Sequence, residues 1–207
     1  MAGYSARYSA AVVKLLKTEG GFVDDPRDHG GATNFGISLR FLASEGAFDG
    51  DGDGKLDFDL DMDGDIDGAD IRRLSRDDAA AIYHQCFWQK VGAESLPPPL
   101  GEMVFDQAVN GGRSSAVKLL QRAVNDCLAR APKSATKPPL MPVDGIRGGT
   151  TDLAIRWVAQ FPSMGVQAMV TAYREAAAER YRAIVFRNPS QKRFLAGWLN
   201  RANDLGR

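Results

Sequence analysis

Between Asp49 and Asp70 the chain places ten aspartates and one lysine in 22 residues, a local charge of −9. A segment of that charge density repels itself and holds too few apolar side chains to bury, so on its own it stays solvated and disordered. It folds only if a cation neutralises it, in which case folding and cation binding are one process. The formal net charge of the whole chain is zero, with 26 basic and 26 acidic residues, so the rest carries +9. Part of that excess lies in Thr151–Arg207, with nine Lys or Arg against four Asp or Glu. The asymmetry implies two kinds of partner: a cation for the acidic segment and something anionic for the basic body.

The spacing of the carboxylates identifies the cation. Asp59, Asp61, Asp63, Asp67 and Asp70 occupy positions 1, 3, 5, 9 and 12 of a twelve-residue loop, and Gly64 stands at position 6, where the backbone must turn sharply. Ile66 fills the apolar position 8, and Asp65 supplies position 7 through its backbone carbonyl. This is EF-hand spacing with Asp in place of the usual Glu at position 12, and it resembles the loop of dockerin-type modules. The expected ion is Ca2+. Upstream, Asp49, Asp51, Asp53 and Asp57 repeat the first nine positions. The twelfth is Leu60, which has no ligating side chain, so this loop is either a weaker site or borrows Asp59 or Asp61.

Outside this segment the chain reads as an ordinary helical protein. It has 207 residues, 44% of them hydrophobic, and can bury a core without disulfides. Cys86 and Cys127 fall within helical patterns and are expected to be reduced core residues. No apolar run reaches the length of a membrane span, and no signal-peptide pattern opens the chain, so synthesis is expected in a cytoplasm. Tyr8, Val12, Leu15 and Glu19 share one helical face, which Gly20-Gly21 terminates. Phe22–Ser38 reads as loop and short extended structure, and Leu39–Glu45 as a short helical turn. Ser75-Arg76-Asp77-Asp78 has the form of a capping box opening a helix through Trp88. Further helices are expected over Leu100–Val109, Ser114–Ala129, Asp152–Gln160, Met164–Phe186 and Gln191–Ala202, with a proline-rich loop at Pro132–Pro142.

Glu19 is the candidate for chemistry. It lies on the apolar stripe at the C-terminal end of its helix, and desolvation and the helix dipole both favour the neutral acid. Such a carboxyl can protonate a leaving oxygen; capping the glycine turn or pairing with Arg27 would be its structural alternatives. Asp28 and Thr33 follow in a glycine-rich stretch, and paired carboxylates are the usual machinery of glycoside hydrolysis.

The run from Glu19-Gly20-Gly21-Phe22 through Gly30-Gly31-Ala32-Thr33-Asn34-Phe35-Gly36-Ile37 resembles the signature of glycoside hydrolase family 108, the N-acetylmuramidases of phage endolysins and related bacterial enzymes. Phe105-Asp106-Gln107-Ala108-Val109-Asn110-Gly111-Gly112 and Gly197-Trp198-Leu199-Asn200-Arg201 resemble two further blocks of that family, and Ile82-Tyr83 with Phe87-Trp88 fits the helix between. The resemblance implies a mainly α, lysozyme-like fold with a small loop/β lobe, into which the acidic segment 49–70 is inserted. The expected organisation is one domain over 1–207, with a C-terminal helical part, 113–207, of peptidoglycan-binding character.

The resemblance also implies a function: hydrolysis of the β-1,4 bond between N-acetylmuramic acid and N-acetylglucosamine, with Glu19 as acid and Asp28 and Thr33 placing the water. Thr33 follows Asp28 by five residues, one fewer than in phage T4-type lysozymes, and Asp24 or Asp25 could stand in for Asp28. His29, Asp106 and Asn110 are candidate substrate contacts, while His84 and Trp198 read as structural. Val143-Asp144-Gly145-Ile146 resembles a turn of peptidoglycan-binding helical repeats. The expected partners are peptidoglycan glycan strands, not nucleic acid, with electrostatic contact to an outer-membrane surface, and the chain is expected to act as a monomer in the periplasm. A lytic transglycosylase of the same fold and a non-catalytic calcium-dependent docking module are the alternatives.

Overall fold

The computed structural model describes residues 3–18, 21–24, 31–45, 52, 54, 56–132 and 136–207. They belong to two compact units, Met1–Cys86 and Phe87–Arg207, both helical apart from one small hairpin, as the mainly α reading expects.

In the first unit, α1 (Ala6–Thr18) starts where Ser5 Oγ accepts the Tyr8 amide at 3.1 Å, an N-terminal cap. Its buried face is Tyr8, Val12, Leu15 and Leu16. The Tyr8 hydroxyl donates to the Ala80 carbonyl, and His84 packs against the rings of Tyr4 and Tyr8, each 4.7 Å away. The strands β1 (Thr33–Asn34) and β2 (Ile37–Ser38) pair antiparallel in the register Thr33↔Ser38. Their two-residue turn, Phe35-Gly36, has φ of 50° and 76°, the left-handed pair that suits the twist of a tight hairpin. Val23 bridges Thr33 on the other side, with both backbone bonds at 2.8 Å. The helix α2 (Leu39–Glu45) follows directly and buries Leu42.

After the acidic segment come α3 (Gly68–Arg73) and α4 (Arg76–Tyr83). The capping box at Ser75 is present: Asp78 N donates to Ser75 Oγ at 3.2 Å, and Ser75 N to Asp78 Oδ2 at 2.8 Å. The expected α-helix through Trp88 gives way at His84 to a π-helical stretch, His84–Gln89. The wider turn accommodates three consecutive buried side chains, Cys86, Phe87 and Trp88, a run too broad for one α-helical stripe.

The second unit is built from α5 (Leu100–Gly111), α6 (Arg113–Arg130), α7 (Gly149–Gln160), α8 (Gly165–Arg187) and α9 (Leu195–Asp204). The α6 helix packs against α5, α7 and α8, and α9 packs on α8. Their core includes Met103, Phe105, Leu120, Val124, Met169 and Tyr173. Cys127 is buried and outside any disulfide, as is Cys86 in the first unit, and burial pushes the Cys127 thiol up to about 11. The chain reaches α9 through a 3-10 turn, Pro189–Phe194, so α-helix begins at Leu195 and not at the expected Gln191. No helix among the described residues is long and apolar enough to cross a membrane.

Arg147 ties the long loop before α7 to the start of this unit. Its guanidinium donates to Asp152 Oδ1 at 2.7 Å, to the carbonyls of Val91 and Gly92 at 3.1 and 2.6 Å, and to Ser95 Oγ at 2.8 Å. The side chain is only 12% exposed, so its removal takes a donor from the Val91 carbonyl and the ion-pair partner from Asp152, while the Gly92 carbonyl keeps the Ser95 amide and hydroxyl. Arg147→Ala is expected to destabilise the protein by about 2–4 kcal/mol, read from urea unfolding. Arg147→Lys recovers little, because an ammonium cannot reproduce the planar fork.

Candidate functional site

The acidic loop 59–70 is organised by its own carboxylates. Asp59 accepts from the amides of Asp63 and Gly64 through its two oxygens, at 3.2 and 2.8 Å, and Asp63 Oδ1 accepts from Asp65 N at 3.2 Å. Gly64 takes φ +100° with open space where a Cβ would lie, so this sharp turn is one that glycine adopts readily. At the far end Asp67 caps α3, accepting from Ala69 N at 2.5 Å, and Asp70 completes a capping box. Asp70 is fully buried; its oxygens accept from Leu60 N at 2.7 Å and Asp67 N at 2.8 Å. One carboxylate thus closes the loop end to end.

The ligand candidates fall into two groups, Asp59, Asp61 and Asp63, and Asp65, Asp67 and Asp70. Within each, one oxygen per residue lies within 4.8 Å of the others, so each group can hold a metal ion. Asp61 Oδ1 fits that use: it is buried without a hydrogen-bond partner, while Oδ2 lies 3.7 Å from Arg73. Lost hydration and the carboxylates of Asp63, Asp70 and Asp59 push the Asp61 pKa upward against the pull of Arg73. Asp65 is raised chiefly by Asp63. Such mutual repulsion is what a divalent cation relieves. Ile66, at the apolar position, is half-buried. Of the upstream loop, Asp49, Asp51 and Asp53 lie outside the described residues, and Asp57 accepts from Gln85 Nε2 at 2.9 Å.

Of the residues expected to act on substrate, Glu19, Asp25, Asp28 and His29 also lie outside the described residues. Glu19 follows in sequence on Thr18, the last residue of α1. Thr33 is half-buried at the start of β1, its hydroxyl 3.4 Å from the Gly31 carbonyl. Asp24 is exposed, 3.9 Å from Arg72.

In the second unit, Asp106 is gripped by Arg201 from α9, with Nη2 at 2.8 Å from Oδ2 and Nε at 3.2 Å from Oδ1. Asn110 is exposed and turns its amide back onto the Asp106 carbonyl at 2.7 Å. Trp198 is half-buried and stacks on Tyr181 and Phe194, at 5.4 and 5.8 Å. The Val143–Ile146 turn is pinned from below by buried Gln121. Its Nε2 donates to Asp144 Oδ1 at 2.7 Å and to the Ile146 carbonyl at 3.0 Å, and its Oε1 accepts from Gly145 N at 2.9 Å. The bond from Gln121, with another from the Ile146 amide at 2.8 Å, holds the Asp144 carboxyl below its ordinary range.

Asn34 escaped the sequence reading. It is buried, and its amide donates to the Ile71 carbonyl at 3.0 Å and the Leu74 carbonyl at 3.4 Å. Its position in a two-residue strand beside a hairpin turn gives no hint of partners 37 and 40 residues away.

Residues 12–112 match the family glycosyl hydrolase 108, and residues 115–203 match a family described as a predicted peptidoglycan domain. Among solved structures, that of SagA from Brucella abortus superposes with a TM-score of 0.64 at 24% identity, over 97% of this chain and 95% of that one. At that identity the likeness speaks for the fold. No curated protein matches the chain. The two matches account for nearly the whole length: residues 12–112 belong to the glycosyl hydrolase 108 family, and a predicted peptidoglycan domain follows over residues 115–203.

Proposed function

We propose that the protein is a bacteriolytic, endolysin-type muramidase cleaving the β-1,4 bond between N-acetylmuramic acid and N-acetylglucosamine of peptidoglycan. The observation that carries this reading is a glycosyl hydrolase 108 segment followed directly by a peptidoglycan domain. Glu19 donates its proton to the glycosidic oxygen as the sugar develops oxocarbenium character, and Asp28, with Thr33, holds the attacking water on the opposite face, which inverts the anomeric centre. His29, Asp106 and Asn110 line the glycan in this reading, Asp106 oriented by Arg201.

Calcium completes the reading. Asp59, Asp61, Asp63, Asp67 and Asp70, with the backbone of Asp65, would hold it, and the orphaned Asp61 oxygen supports the assignment. The upstream loop of Asp49, Asp51, Asp53 and Asp57 is a weaker site. The ion supplies positive charge that lets the segment fold and takes no part in bond cleavage; with it in place the first unit is ordered and cleavage is faster. The protein would be made in the host cytoplasm and reach its substrate in the periplasm after permeabilisation of the inner membrane. Exposed Phe186, flanked by the exposed cations Arg182, Arg187, Lys192 and Arg193, supports contact with an anionic outer-membrane surface.

Digestion of purified peptidoglycan followed by mass spectrometry tests the chemistry. Reducing-end fragments are expected. Anhydro ends would instead mean a lytic transglycosylase, with Glu19 as both acid and base. Absence of fragments would leave the calcium-dependent docking module.

A further inference from the structure

We propose that α3 is a strut that transmits cation occupancy of the acidic loop to the hairpin carrying Thr33, with Asn34 and Arg72 as its positioning residues; this rests on the calcium reading above. The helix has six residues, about 9 Å of length. A helix that short does not hold itself together in water, so its stability comes from what grips its two ends.

At its N-terminal end the grip is the loop. Asp67 caps the first turn and buried Asp70 closes the capping box and the loop together. Both residues are candidate ligands, so repulsion among the loop carboxylates acts directly on the first turn of α3, and a bound cation removes it.

At its C-terminal end the grip is the hairpin. The last carbonyls of a helix have no partner within it, and the buried Asn34 amide serves the carbonyls of Ile71 and Leu74. Asn34 is the neighbour of Thr33 in β1 and pairs with Ile37 across the turn. From the outer face of α3, Arg72 lies over the Phe22 ring, 5.1 Å from its centroid, and 3.9 Å from Asp24. Those two residues flank Val23, which bridges Thr33 from the other side. Thr33 is thus paired with Ser38 on one side and Val23 on the other, and α3 touches the Val23 segment through Arg72 and Thr33's own strand through Asn34. Tyr83 of α4 adds a third hold on the same hairpin, donating to the Phe35 carbonyl at 2.9 Å, and is independent of the loop.

Misplacing a group that positions a reactant by about 1 Å costs up to about 10²-fold in rate, so calcium is expected to raise kcat about tenfold, with little change in KM. The decisive readout is amide hydrogen exchange over residues 31–38, with calcium titration calorimetry alongside. In the parent protein, calcium is expected to slow exchange across this hairpin. In Asn34→Ala and Arg72→Ala, calcium still binds, but protection of 31–38 does not increase and the rate stimulation falls below about twofold. Arg72 is exposed, so its variant keeps the test open if Asn34→Ala fails to fold. Calcium binding to the parent with no change in exchange over 31–38 overturns the strut and leaves the calcium site standing, as does full protection in both variants. Absence of any calorimetric signal in the parent removes the calcium reading itself, and the strut with it.

Discussion

Glu19→Gln is expected to lower the rate of peptidoglycan cleavage by about 10²–10⁴-fold, the usual contribution of a positioned general acid. Glutamine has the shape of the protonated acid and its hydrogen-bonding reach, so glycan binding and the melting temperature should change little. What it cannot do is surrender a proton to the glycosidic oxygen. The fall therefore belongs in kcat, the signature of an interaction made in the transition state. The residues leading up to position 19 suit such a role: Tyr8, Val12, Leu15 and Leu16 are buried along α1. Turbidity loss of a peptidoglycan suspension measures the effect. A variant clearing the suspension at the parental rate would remove Glu19 from the mechanism.

Calcium removal should have the second-largest effect. An ion present at 100 times its dissociation constant stabilises the folded state by about 2.7 kcal/mol. For a chain of this size that corresponds to a melting shift of about 5–10 °C. Asp61→Asn separates binding from simple loss of charge. Its buried, unpartnered oxygen faces neighbouring carboxylates, so neutralising it should slightly stabilise the chelated protein while weakening calcium binding. The variant is thus expected to melt no lower than the parent in chelator, and lower than the parent in calcium. Asp70→Asn should be costly in both conditions, because buried Asp70 accepts from Leu60 N and Asp67 N, and an amide nitrogen in place of either oxygen cannot accept. Differential scanning calorimetry with calcium and with chelator checks all three, and identical melting of the parent in both conditions would refute the calcium site.

Some of this was legible along the chain because its causes are local. The capping box of α4 needs only Ser75 and Asp78, three residues apart, and the turn at Gly64 needs only a glycine between closely spaced aspartates. The short α3 was missed because its six residues include Gly68 and Ala69 and show no periodic apolar stripe. The double use of Asp67 and Asp70, as helix caps and as candidate ligands, hides one role behind the other. The π-helical stretch after Tyr83 follows from packing three consecutive large or apolar side chains, a demand set by the core and not by the residues of the helix.

The amino-acid order alone determined the helical class, the capped ends, the twelve-residue spacing of the acidic loop and the family blocks. Each depends on residues a few positions apart, whose geometry the backbone already dictates. Only the tertiary structure decided that Asn34 holds the end of α3, that Arg147 clamps residues 91–95 and that Arg201 grips Asp106 across 95 positions. In each case a buried or half-buried polar group must find a partner wherever folding brings one within reach, and separation along the chain carries no information about which partner that will be.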